Sequence, residues 1–74
     1  MSKDAADDLF AIQIRLFRLF QLKEKLSPEQ AEDVFRKYDI FNYISVCYEI
    51  YHVQGDDANL ADIYIYLSNM GWKK

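Results

Sequence analysis

Residues that interrupt helices are almost absent from this chain of 74 residues. It contains one proline, Pro28, and two glycines, Gly55 and Gly71, whereas disordered chains and turn-rich β-proteins carry a heavier load of such residues. In the segments that the proline and the glycines separate, apolar side chains recur every three or four positions, which is the spacing of an amphipathic helix. The sequence therefore predicts an all-α fold. The expected form is a compact bundle of four helices, at about residues 4–25, 28–38, 41–54 and 58–70.

The first predicted helix has more apolar residues than a single face requires. Its expected core stripe consists of Leu9, Ile12, Leu16, Leu19 and Phe20. A surplus lies beside that stripe, at Phe10, Ile14, Phe17 and Leu22. The helix is therefore expected either to be central in the bundle or to be covered in part by a second molecule.

The second predicted helix has a clear start signal. Ser27 is the expected N-cap, Pro28 occupies the first helical position, and Gln30 is placed to close a capping box. Its inward residues are Ala31, Val34, Phe35 and Tyr38. The charged pairs Glu32 with Arg36 and Asp33 with Lys37 are predicted to form a solvated face.

The third helix is predicted to begin at Asp39 or Asn42 and to end at Gly55, for which a left-handed conformation is expected. Its expected core face consists of Ile40, Tyr43, Ile44, Cys47, Ile50, Tyr51 and Gln54. Cys47 is interpreted as a small buried apolar residue.

The fourth helix is predicted to start after Asp57 or Asn59, as capping residues, and to stop before Gly71. Its expected core residues are Leu60, Ile63, Tyr64, Leu67 and Met70. Trp72 follows the terminating glycine and is expected to pack back on the last turn.

Catalysis is not expected from these residues. The two glycines are sixteen positions apart, so no glycine-rich nucleotide loop forms. The only histidine, His52, and the only cysteine, Cys47, project about 140° apart on a helix and cannot share a metal ion or act as a thiol and base. We therefore expect a non-enzymatic protein without a metal or cofactor.

The length leaves room for one domain, residues 1–74. The polar, acidic N-terminus does not resemble a signal peptide, and a single cysteine excludes an internal disulfide. The longest apolar stretch is interrupted by Gln13, Arg15 and Arg18, so no membrane span is expected. These features predict a cytoplasmic protein.

Charge is distributed unevenly along the chain. Between Tyr38 and Trp72 there is no Lys or Arg. That stretch carries five acids, Asp39, Glu49, Asp56, Asp57 and Asp62. Most cations lie in the first half, at Lys3, Arg15, Arg18, Lys23, Lys25, Arg36 and Lys37. Because the acidic half would repel phosphate, nucleic acid is not the expected partner.

The acidic half is instead expected to bind a protein. Ile65 is predicted to point outward among tyrosines and acids, a combination typical of an interface anchor and its polar rim. The candidate partner-binding residues are Tyr48, His52, Gln54, Asp56, Asp57, Ile65 and Tyr66. Structural roles stay open for some of them: helix capping for the two aspartates, and stabilisation of a helix end for His52.

The stretches YEIYHVQG and LADIYIYLSNMG resemble a small bacterial family, domain of unknown function 3791, over nearly the whole chain. The matching residues are Tyr48, His52, Gln54, Gly55, Asp62, Ile63 and Tyr66, and SPEQAEDVFRKYD is similar to the family's second helix. Tyr51 departs from the usual leucine, and Val53 from the usual threonine.

The resemblance carries no established activity, but it has an implication. Members of this family are often encoded beside a second uncharacterised family, number 3990, which resembles ADP-ribosyltransferases. This implies an antitoxin or inhibitor that neutralises a neighbouring toxin-like enzyme. The alternative, suggested by the surplus apolar residues of the first helix, is a structural module that assembles with itself as a homodimer.

Overall fold

Five helices make up the computed structural model, which describes residues 2–73. They are α1 (Lys3–Glu24), α2 (Pro28–Lys37), α3 (Ile40–Val46), α4 (Tyr48–Tyr51) and α5 (Asp56–Asn69). No strand occurs within these described residues, so the predicted all-α class is confirmed. Among the same residues, no helix combines the length and the apolar sequence that a bilayer span requires.

α1 is the central helix, because it contacts α2, α3 and α5. Its core residues are Ile12, Leu16 and Phe20. The surplus apolar residues divide into two groups. Phe17 is half-buried, with its ring 5.1 Å from that of Phe35 and 5.9 Å from that of Phe41. Phe10 and Leu22 remain 64% and 73% exposed, so central packing accounts for only part of the surplus.

The predicted capping box at the start of α2 is confirmed. The backbone N–H of Gln30 donates to the Ser27 hydroxyl at 3.1 Å, and the Ser27 N–H donates to the Gln30 side chain at 2.9 Å. Just before it, α1 ends at Glu24, and its C-cap, Lys25, is left-handed with φ 56°. Of the predicted charged pairs, Glu32 and Arg36 form an ion pair. This connection turns the chain so that Ala31 and Phe35 enter the core.

The prediction of one continuous third helix at 41–54 is wrong. α3 and α4 meet at Cys47, whose backbone adopts φ −89° and ψ 6°. The change of direction carries Tyr51 into the core, where it is 2% exposed, while Ile50 and Gln54 come to the surface and Cys47 is only half-buried. At the start of α3, Asp39 has φ 54° and makes no capping hydrogen bond through its side chain.

The predicted boundary between the third and fourth helices, at Gly55, is also wrong. Gly55 is extended, with φ −75° and ψ 162°, and it is the N-cap of α5 instead of a left-handed helix end. Asp56 and Asp57 therefore lie in the first turn, where carboxylates interact favourably with the helix dipole. Asn59 does not cap: it is 1% exposed, and its side-chain amide donates to the Tyr51 carbonyl at 2.9 Å.

The C-terminal end of α5 follows the prediction except at Met70, which is 54% exposed because it lies past the last core-facing turn. Gly71 is left-handed with φ 89°, and the Trp72 N–H donates to the Leu67 carbonyl at 2.9 Å. The Trp72 ring lies 5.7 Å from that of Phe20. The predicted packing of Trp72 on the end of the helix is thus present.

Candidate functional site

A groove of about 470 Å³ runs between α4 and α5, and we call it the α4–α5 groove. It is lined by Cys47, Ile50, Tyr51, Gln54, Ala58, Ala61, Asp62 and Ile65. Its large exposed apolar side chains are Ile50, at 57%, and Ile65, at 60%. The groove therefore presents aliphatic surface to solvent, with few polar groups inside it.

The charged group within this groove is the carboxylate of Asp62, which two tyrosines hold in place. The hydroxyl of Tyr43 donates to Asp62 Oδ2 at 2.8 Å, and that of Tyr51 donates to the same oxygen at 2.5 Å. Tyr51 comes from α4, Tyr43 from α3 and Asp62 from α5. The three side chains therefore join the helices around the groove and fix the orientation of the carboxylate.

The environment of these tyrosines favours their protonated form. Burial, and then the hydrogen bond to Asp62, raises the pKa of both Tyr43 and Tyr51 above the usual range. A deprotonated hydroxyl would lose its hydrogen bond and place a second negative charge beside the carboxylate. Both hydroxyls are therefore donors at neutral pH, and Asp62 is the acceptor.

Two further contacts position the elements of the groove. The Asn59 amide donates to the last carbonyl of α4, at Tyr51, and Oδ1 of Asn59 is buried without a hydrogen-bond partner among the described residues. At the start of α5, Asp56 pairs with Arg15 of α1, with 3.1 Å between Nε and Oδ2. The first contact holds α4, which has only four residues and depends on its neighbours. The second joins α5 to α1.

Two of the predicted partner-binding residues lie in the α4–α5 groove, Gln54 and Ile65. Tyr66 does not line it: its ring stacks on that of Tyr43, with 3.9 Å between centroids, and its hydroxyl donates to the Tyr38 carbonyl at 2.7 Å. Tyr66 is thus connected to the groove only through Tyr43, whose hydroxyl donates to Asp62.

Tyr48 and His52 form a separate pair on another side of α4. Their rings stack with 5.0 Å between centroids, and the Tyr48 hydroxyl donates to Asp8 of α1 at 2.9 Å. This hydrogen bond raises the pKa of Tyr48. The spacing along α4 directs these two side chains away from Ile50, so the structure does not bring them into the groove.

Two of the five acids in the second half of the chain have partners that the sequence did not indicate. Asp56 is paired with Arg15, and Asp62 accepts two hydroxyl donors. By contrast, Glu49 and Asp57 are exposed and make no ion pair within residues 2–73. The surroundings of the groove therefore remain acidic, but with fewer unpaired charges than a count of residues gives.

Sequence reasoning missed Cys47, Ile50 and Asp62 as residues of the groove. The prediction of one continuous helix places the first two on a core face, whereas the break at Cys47 leaves Cys47 half-buried and Ile50 57% exposed. A detectable signal was present in the spacing of Ala58, Ala61 and Ile65, small and aliphatic residues that share one side of α5. The alanine side chains on that side of α5 are too small to fill the space beside the helix, so a depression remains.

The groove combines apolar and polar surface. Its walls offer aliphatic surface, and its polar groups are a carboxylate, a thiol and the Gln54 amide. Within the part of the chain that the structure describes, no group of three or more His, Cys, Asp or Glu side chains is arranged to hold a metal ion.

One comparison with known proteins gave a match. The family model described as a protein of unknown function, DUF3791, matches residues 13–70, a span that includes the whole of the α4–α5 groove. Searches of curated proteins and of solved structures each found no match.

Proposed function

Because the chain belongs to the DUF3791 family, whose description gives no activity, we propose a function from its geometry: it is a non-enzymatic module that binds another protein through the α4–α5 groove. One observation carries this proposal, the exposure of Ile50 and Ile65 on the two helices that border one groove. Burying such a side chain contributes about 1.5–3 kcal/mol. Two of them on a concave surface provide the anchors of a small interface.

Charge favours a partner with a basic surface. Glu49 and Asp57 are exposed near the ends of the helices that form the groove, and no Lys or Arg lies between Tyr38 and Trp72. Acidic groups around apolar anchors accelerate association with a basic surface and disfavour acidic competitors. A second copy of this chain would instead bring like charges together.

We extend the proposal to an antitoxin or inhibitor of a toxin-like enzyme, in the cytoplasm of a bacterium. The support is the resemblance to a family encoded beside ADP-ribosyltransferase-like proteins. An enzyme that binds NAD commonly presents cations to its phosphates, and an acidic apolar surface placed over them would exclude substrate. The cytoplasm fits a chain with one free cysteine.

The test is co-purification of this chain with the product of the adjacent gene, which the proposal expects to be ADP-ribosyltransferase-like, together with the effect of the chain on the activity of that product. Ile65→Arg should weaken binding by about a hundredfold, because it replaces an anchor with a charge that must be desolvated. Leu22→Arg is the matched control: Leu22 is 73% exposed but lies on α1. Retention of binding by Ile65→Arg would exclude the groove as the interface.

Self-assembly through α1 is the second candidate function. It is favoured by the exposure of Phe10 and Leu22, at 64% and 73%. Phe17 contributes less than its sequence position suggested, because its ring packs against Phe35 and Phe41. Sedimentation separates the two functions: a monomer at all concentrations rejects assembly, whereas a dimer lost in Leu22→Arg but not in Ile65→Arg supports it.

Nucleic acid is not part of the proposal, because several of the cations it would need have other contacts. Arg15 pairs with Asp56, Arg36 pairs with Glu32, and Lys23 lies over the Tyr64 ring at 4.8 Å. Binding to heparin that falls steeply with salt would contradict this view.

A further inference from the structure

Among the described residues, one oxygen of Asp62 accepts two hydrogen bonds and the other accepts none. Tyr43 and Tyr51 both donate to Oδ2, and no donor among residues 2–73 reaches Oδ1 within hydrogen-bond distance. Nor does Asp62 form an ion pair within that part of the chain. A half-buried carboxylate that is held firmly by one oxygen and open at the other is preorganised to accept a donor from outside.

The surroundings of Asp62 limit the kind of donor. Ile50 and Ile65 are the aliphatic walls of the groove, Ala58 and Ala61 give it depth, and Gln54 adds one amide. A charged donor must bring its own apolar surface to such a place, because water is displaced from the walls as the donor enters. The groove lies between helices, and the described residues contain no strand whose edge could pair with a peptide. The shape therefore suits a helix lying in a groove.

We propose that the α4–α5 groove receives an amphipathic helix of a partner protein, and that an arginine of this helix binds Oδ1 of Asp62. This inference rests on the proposed function and specifies its partner. Aliphatic residues one turn before and one turn after the arginine contact Ile50 and Ile65, because side chains at that spacing share a helix face. Arginine fits better than lysine, since a guanidinium is more weakly hydrated and enters a half-buried site at a lower cost.

The charge of the surroundings agrees with this occupant and disfavours a second copy of the chain. Exposed Glu49 and Asp57 lie on the helices that form the groove and would attract further cations of the partner helix. Two copies placed groove to groove would bring both Asp62 carboxylates and both sets of exposed acids together. Such like-charge contacts weaken association.

A pair of peptides tests the inference with the unaltered protein. The first is a capped, alanine-rich helical peptide with two leucines two turns apart and an arginine between them on the same face. The second carries citrulline in place of arginine, which keeps the shape and removes the charge. Calorimetric titration of the full chain should give an affinity for the arginine peptide about tenfold or more above that for the citrulline peptide.

Variants of the protein assign the difference to one carboxylate. Asp62→Asn should abolish the preference for arginine, while Asp57→Asn, which removes one exposed charge from the same helix, should preserve it. Raising the salt concentration should lower the affinity of Asp57→Asn and of the unaltered chain while leaving the arginine preference in place, because a half-buried pair is screened less than exposed charges. Circular dichroism verifies that both variants are folded.

Equal affinities for the two peptides, or no binding of either, would overturn the inference even if Asp62→Asn failed to fold. If Ile65→Arg abolishes binding of the enzyme partner while the peptides bind equally, the proposed function survives and only the arginine anchor is wrong. If Ile65→Arg leaves the enzyme complex intact, the proposed function is wrong as well. Association of the chain with itself that the arginine peptide reverses would identify a second copy as the occupant and overturn the partner helix.

Discussion

Tyr51 donates its hydroxyl to Asp62 Oδ2 across 2.5 Å, and this contact joins the shortest helix of the fold to α5. Tyr51→Phe should lower the free energy of unfolding by about 1.5–3 kcal/mol, the range for a hydrogen bond to a charged group. Tyr66→Phe is the matched control, because its hydroxyl donates to the neutral carbonyl of Tyr38 and its loss should lower the free energy by about 1 kcal/mol. Urea denaturation measures both. A smaller loss of unfolding free energy in Tyr51→Phe than in Tyr66→Phe would contradict a stabilising hydrogen bond from Tyr51 to the Asp62 carboxylate.

Asn59 should be intolerant of a change that preserves its size. Its amide donates to the Tyr51 carbonyl in a site that is 1% exposed. Asn59→Asp removes that donor and sets a carboxylate against a carbonyl, so we expect a loss of at least about 3 kcal/mol at pH 7. Protonation of the new carboxyl restores a donor, so part of this loss should be recovered in acid. The same exchange at exposed Asn42 should change thermal stability little. Equal effects at the two positions would refute the role of the buried Asn59 amide.

Lys25 and Gly71 occupy equivalent positions after α1 and α5, both left-handed, with φ 56° and 89°. A side chain is strained in that conformation by roughly 1 kcal/mol relative to glycine. Lys25→Gly should therefore raise the free energy of unfolding by about 1 kcal/mol, and Gly71→Ala should lower it by a similar amount. A Cβ at Gly71 would meet no atom within 4 Å, so the loss there would come from the backbone alone. Changes of the same sign in the two thermal melts would refute this argument.

Alkaline pH should unfold the protein cooperatively. Burial, and then hydrogen bonds to Asp62 or Glu24, raises the pKa of Tyr43, Tyr51 and Tyr64 in the folded chain, whereas in the unfolded chain the pKa of these groups is about 10. These tyrosines therefore stabilise the folded state fully below pH about 10. Their contribution to the free energy of unfolding declines as the pH rises toward their pKa in the folded chain, because the unfolded state loses its protons first. Tyrosinate absorbance should rise as helical circular dichroism disappears. Titration of all the tyrosines with the dichroism unchanged would contradict this prediction.

Local signals predicted the fold well where one segment determines its own structure. The Ser27 capping box, the core stripe of α1 and the turn at Gly71 each depend on residues within a few positions of one another. The errors lie where a distant contact decides. The direction of α4 depends on Tyr51 meeting Asp62 and Asn59, which are 11 and 8 positions away in sequence, so no periodicity within residues 41–54 indicates the break at Cys47.

The same limit applies to the candidate site. Outward-facing Ile65 was predicted from helical periodicity, and it is 60% exposed. The sequence presents Asp62 as one of five acids and as a residue shared with the family, but not as part of a site, because its two hydroxyl partners come from other helices. Tyr48, His52 and Tyr66 were grouped with Ile65 by their position in the chain. Their side chains are engaged elsewhere, by Asp8 in the case of Tyr48 and by Tyr43 in the case of Tyr66.

The shortness of α4 has a consequence for motion. A helix of four residues is too short to persist without neighbours, so one wall of the groove opens whenever its contacts with α5 loosen. Its amide hydrogens should exchange with solvent sooner than those of α1 and α5, through local opening that leaves the rest of the bundle folded. A ligand seated against that wall would slow this exchange at residues 48–51, and its affinity would be reduced by the work of ordering the segment.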